Sequence, residues 1–106
     1  MLKLKVKRLE TLKEKIVGLI GREKVAPVIF ETRFGIHTFF LSTPIDVLIL
    51  YSQRRVSVFK ESLFPNRIFL WNPRYKIVLE LPAGTIKQYN VKKGTRIQPV
   101  SAGLFR

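Results

Sequence analysis

The chain has 106 residues, 46% hydrophobic and 11% aromatic, with twenty Lys and Arg against seven Asp and Glu for a net charge of +13. That apolar content excludes a disordered chain, and the length fits one domain able to bury a real core. Cysteine is absent and histidine occurs once, which excludes disulfides and thiolate nucleophiles and leaves zinc without its usual ligands.

Leu2, Leu4 and Val6 alternate with Lys3, Lys5 and Lys7, the period-2 pattern of a strand with one buried face and one basic face. This start carries a charge every second or third residue, unlike a signal peptide. Together with the missing cysteines it gives the expectation of a cytoplasmic protein. The period then lengthens through Leu9, Leu12, Ile16, Leu19 and Ile20. Thr11 and Glu14 form a capping box and Gly21 suits a helix end, so one helix is expected at about 11–20.

After Pro27 the chain becomes strand-like, over 28–33, 35–41, 45–51 and 56–60. Residues 34–53 hold Asp46 as their only formal charge, but His37, Ser42 and Pro44 interrupt them. Two neighbouring strands fit this window better than a membrane span, and no span is expected. The 45–51 run is nearly continuous apolar, as in a strand covered on both faces. Residues 60–73 read as irregular, with a short strand at 68–71. A strand at 77–81 stops at Pro82-Ala83-Gly84. One helical turn follows at 85–90, a tight turn at Lys93-Gly94 and a last strand at 96–100. The expectation is a mainly β domain over 1–100, a small closed β-barrel or jelly-roll-like sandwich with one N-terminal helix and a flexible tail at 101–106.

Most catalytic motifs are missing. Gly18 and Gly21 match the bare GxxG of nucleic-acid-binding KH domains, but their middle residues are apolar and Pro27 blocks a following helix. His37, Ser42 and Asp46 supply the residue types of a hydrolytic triad without an elbow or oxyanion motif. No catalytic residue, metal or cofactor is expected. The charge is the live signal, because a basic surface attracts polyanions such as RNA or DNA. Its candidate contacts are Lys3, Lys5 and Lys7 on one strand face, with Arg54, Arg55, Lys92, Lys93 and Arg96 at turns. Trp71 and Tyr75 lie among Arg67, Arg74 and Lys76, either as a base-stacking platform or as core under a loop, the second being favoured. The scarcity of Met, Asn, Gln and Cys gives a faint thermophile signature.

From Gly18 to Ile97 several motifs fall in a recognisable order. They are Gly18-Leu19 with Arg22, then Ile36-His37-Thr38-Phe39-Phe40 and Pro44-Ile45-Asp46-Val47. Leu63 to Arg67 and Val78-Leu79-Glu80-Leu81-Pro82-Ala83-Gly84 follow. In these the chain resembles the uncharacterised family called domain of unknown function 192. It departs from that pattern at Leu41 and Ser42, where the family has Met and Arg, at Asn66, where it has Trp, and at Thr95, where it has Asp. The resemblance implies a compact β-barrel or jelly-roll-like fold with a helix near its start, and no established activity. Because Arg22, Asp46, Arg67 and Glu80 sit in these motifs, they are expected to form a polar cluster with His37 nearby. A buried carboxylate needs a cation or hydrogen-bond donors. The functional expectation is a non-catalytic binding domain, with weak, non-sequence-specific RNA or DNA binding as the alternative.

Overall fold

The computed structural model describes residues 1–9, 27–39, 41–52 and 54–101. The helix expected at 11–20, Arg22 and the Gly18/Gly21 motif lie outside these residues. Alternation sets the first strand, β1 (Leu2–Arg8), which buries Leu4 and Val6 and exposes its lysines. Strand β2 (Val28–Glu31) follows, then the two-residue β3 (Ile36–His37), β4 (Ile45–Leu50) and β5 (Val56–Leu63). The short β6 (Ile68–Phe69), β7 (Ile77–Pro82), a single helical turn α1 (Thr85–Gln88) and β8 (Ile97–Ser101) complete the described elements.

Six strands form one sheet in the order β5-β4-β7-β2-β1-β8, while β3 and β6 pair separately. The pairs from β5 to β2 are antiparallel, and β1 runs parallel to both β2 and β8. Parallel neighbours need a crossover connection, here residues 9–27. All six residues of β4 are buried, as its nearly continuous apolar run predicts for a strand covered on both faces. Burying each large apolar side chain stabilises the fold by about 1.5–3 kcal/mol.

The sheet curls. One face gathers Leu4, Val6, Leu48, Leu50, Leu79 and Leu81 into a cluster that also contains Val56 of β5 and Ile97 of β8. Since β5 and β8 are the two edge strands, this is the concave face. The other face packs Val28, Phe30, Ile45, Val47, Ile49 and Val78. Two register shifts on β5, each giving it one extra residue against β4, supply local bend and twist. They also carry β5 on to Leu63, through residues expected to be irregular.

The expected closed barrel is not formed. The edges meet at a single bridge, Arg55 to Arg96, reinforced by Val56 N–H to Thr95 O (2.9 Å) and Ile97 N–H to Arg54 O (2.8 Å). The reason for the stop lies in β8. Ile97 turns its N–H away from β1 towards Arg54, and two residues on the same outward position is held by Pro99, which has no N–H. The result is a half-barrel pinned at one end. Ser101, expected in a flexible tail, is the last residue of β8.

Candidate functional site

The two buried carboxylates do not share a site. On β4, Asp46 has the parity of Leu48 and Leu50, so it points to the concave face. On β7, Glu80 has the parity of Val78 and points to the other face. Asp46 is fully buried and is consumed by the backbone. Its Oδ1 accepts the Ser62 N–H (2.8 Å), and Oδ2 accepts the N–H groups of Gly84 (3.1 Å) and Ile86 (2.9 Å). Ser62 sits in the extra-residue bulge of β5 with φ of 51°, and Gly84 has φ of 96°. One side chain thereby fastens a bulge and the Pro82–Gly84 turn to the sheet. Glu80 is equally buried, between Val28 and Val47 of the neighbouring strands.

His37 and Arg67 are exposed, and the three amides on Asp46 come from other residues. The imidazole Nδ1 of His37 accepts the Phe39 N–H at 3.4 Å, and its ring stacks on Phe39 at 4.8 Å. Arg67 turns its guanidinium to Asn66 O, at 3.4 Å. The five expected members of the polar cluster are therefore divided, with Arg22 outside the described residues. The triad geometry is absent as well, since both oxygens of Asp46 hold backbone amides rather than His37.

Thr38, named in the sequence only within the Ile36–Phe40 motif, is the buried polar residue of this region. Its hydroxyl donates to Phe64 O (2.7 Å) and accepts the Arg67 N–H (2.9 Å), latching the 64–67 loop onto β3. Trp71 and Tyr75 are half-buried against the outer core, with the indole N–H donated to Tyr75 O at 2.7 Å. Core packing is the reading that holds for this pair.

The basic candidates converge. In the β1–β8 register, Leu2 faces Ile97 and Lys3 faces Gln98. Parallel partners share a face, so Arg96, one residue before Ile97, lies on the lysine side of the sheet. Lys3, Lys5 and Lys7 continue that line at roughly 6.5–7 Å intervals. The edge bridge adds Arg55, whose guanidinium is held by Gly94 O at 3.0 Å, and Arg54 beside it. Lys92 and Lys93 are exposed in the adjoining turn. Residues 1–9, 47–60 and 81–101 contain no Asp or Glu. Arg55 and Arg96 line a depression of about 720 Å³ with Met1. Lys3 and Lys5 border a hollow of about 690 Å³ with Gln88 and the half-exposed Tyr89.

A second surface is apolar. Phe34, Phe39, Phe64, Ile68 and Leu70 are all exposed around the β3–β6 pair. Among the described residues no group of three or more His, Asp or Glu is placed to hold a metal. No helix among them is long and apolar enough to cross a membrane.

The geometry defines a curled, mainly β domain with a basic seam. The profile of domain of unknown function 192, described as an uncharacterised ACR family, matches residues 2–99. The chain belongs to that family. It is 39% identical over 71 residues, 65% of its length, to a UPF0127 protein of Pyrococcus abyssi (strain GE5 / Orsay). The match spans 60% of that relative. Its fold is similar to a crystal structure from Sinorhizobium meliloti 1021, described as a candidate transcription regulator, with TM-score 0.71 and 24% identity. That match covers 86% of this chain and 78% of the other. A protein of unknown function from Novosphingobium aromaticivorans DSM 12444 gives TM-score 0.69 and 21% identity, covering 82% and 69%.

Proposed function

We propose that this chain is a non-catalytic binding domain that takes RNA or DNA, without sequence preference, along the basic seam. The observation carrying this reading is the β1–β8 register joined to the Arg55–Arg96 bridge. Cations from three segments remote in sequence fall on one line, and none of those segments contributes a carboxylate. Such a line matches the repeat of a phosphate backbone, and Tyr89 beside Lys3 and Lys5 offers a ring on which a base can stack. The non-catalytic part rests on Asp46, whose oxygens are committed to three backbone amides and are not available for proton transfer. The description of the Sinorhizobium neighbour agrees with nucleic-acid binding, but at 24% identity it supports the fold alone.

Salt titration tests the proposal, because any basic protein binds polyanions at low salt. A seam contacting about five phosphates gives a log–log salt slope near −4 and keeps micromolar affinity at about 150 mM. Replacing Lys3, Lys5 and Lys7 with Gln is expected to remove up to about three units of slope. Binding that vanishes at physiological salt, or a triple variant that binds like the parent, would reject it.

A further inference from the structure

We infer that the β3–β6 face is a membrane-docking surface for a bilayer containing acidic lipid, a role separate from the basic seam. The β3–β6 register sets His37 opposite Ile68 and Ile36 opposite Phe69. Ile36 is buried, so His37 and Ile68 share the outward face, with Phe39 stacked on the imidazole. Leu70 follows Ile68 on the same side. At the β2–β3 turn Gly35 packs directly against Leu70, and Phe34 precedes the glycine in the same turn. At the opposite end Phe64 is held by its carbonyl to Thr38. The five exposed apolar residues thus lie on and around the small sheet, with Ile68 and Leu70 forming the centre of a ridge. Phe34, Ile68 and Leu70 are 91%, 63% and 69% exposed, and apolar side chains exposed together mark interaction sites.

Charge selects the occupant. Residues 32–45 and 62–79, which build the ridge, contain Arg33, Arg67 and Arg74 and no carboxylate, while their Lys76 is paired with Glu31 at 3.4 Å. Arg33 is fixed at the tip by hydrogen bonds to Pro73 O (2.8 Å) and Arg74 O (3.2 Å), which keeps its charge beside Phe34. A second copy would bring the same cations, on a chain of net charge +13, against its own, so self-association is opposed. A side chain nine-tenths exposed at a turn is a wedge rather than the wall of a peptide groove. Aliphatic Ile68 and Leu70 at the centre offer a nucleic-acid base nothing to stack on. Insertion of apolar side chains below a ring of cations is how peripheral proteins hold anionic membranes.

The test uses the full chain and sedimentation with vesicles of phosphatidylcholine, alone or with about 30% phosphatidylglycerol, at about 150 mM salt. Strong binding is expected only to the acidic vesicles. The double variant Phe34→Ser/Leu70→Ser removes exposed groups only, and an unchanged melting curve verifies its fold. It is expected to lower partitioning by about tenfold or more, whereas Arg54→Gln/Arg55→Gln/Arg96→Gln leaves most of the vesicle binding intact. Acidic-vesicle binding that the double variant retains would overturn the inference, since charge alone would then account for it. So would absence of wild-type binding to acidic vesicles. A concentration-dependent dimer abolished by the double variant would assign the ridge to a second copy instead. Loss of RNA affinity in that variant, without vesicle binding by the parent, would assign it to nucleic acid.

Discussion

Asp46 and Glu80 stand one register step apart on the paired strands β4 and β7, yet their side chains leave the sheet on opposite faces. Strand alternation makes this unavoidable, because Asp46 pairs with Leu81 and Val47 with Glu80. Two carboxylates that sequence motifs bring close together therefore do different work.

For Asp46 that work is fastening. Asp46→Ala strands the amides of Ser62, Gly84 and Ile86, the first two part-buried and the last buried, and is expected to destabilise the fold by about 3–5 kcal/mol, since an orphaned buried donor costs about 1–3. Asp46→Asn retains one acceptor oxygen but aims an NH2 group at amide donors, and should fall between the two. Urea denaturation of the three proteins checks the order.

Thr38 holds its loop through a hydroxyl that both donates and accepts. Thr38→Val keeps the shape and deletes both bonds, at an expected cost of about 1–3 kcal/mol. The readout specific to the latch is hydrogen exchange at the Arg67 amide, which should accelerate more than exchange in β4.

Gly35 has φ of 86°, and a Cβ there would meet Leu70 Cδ2 and lie 2.9 Å from Phe69 O. The leucine can swing away but the carbonyl cannot. Gly35→Ala is expected to lower stability by about 1–3 kcal/mol, measured by thermal melting, through backbone strain and this clash.

Arg54 and Arg55 separate binding from folding. Arg55 spends its guanidinium on Gly94 O, whereas the Arg54 backbone carbonyl, not its side chain, bonds Ile97. Arg54→Gln is expected to reduce the nucleic-acid salt slope by about one unit with an unchanged melting temperature. Arg55→Gln should reduce the slope and loosen the seam, seen as faster exchange at the amides of Gly94 and Ile97.

What could be read in advance follows from range. The alternation at Leu2–Lys7 and the nearly continuous apolar run of Ile45–Leu50 are local signals, and both strands lie where those patterns put them. The parallel β1–β8 pairing joins the chain's two ends, and no local pattern announces it. The β5 bulge at Ser62 was likewise hidden, because it is stabilised from another strand by Asp46. The candidate cluster was read from residue type alone, which carries no strand parity, and parity across β4 and β7 puts Asp46 and Glu80 on opposite faces. The exposure of Phe34, Phe39 and Phe64 has no local signature, because residue type alone does not say which way a side chain turns. The basic residues were legible one by one, and only the register showed that they form a line.

The half-open seam also bears on how this protein behaves at high concentration. A sheet with two edge strands is a template on which another chain can add, and such addition seeds fibres. Here the β5 edge is broken by two bulges and carries Lys60, and the β8 edge loses a donor at Pro99. The proline that stops the barrel from closing on itself therefore also stops a stranger's strand from completing it. Restoring the N–H with Pro99→Val would extend the zipper past Ile97 or, in a crowded solution, recruit a neighbour to do so.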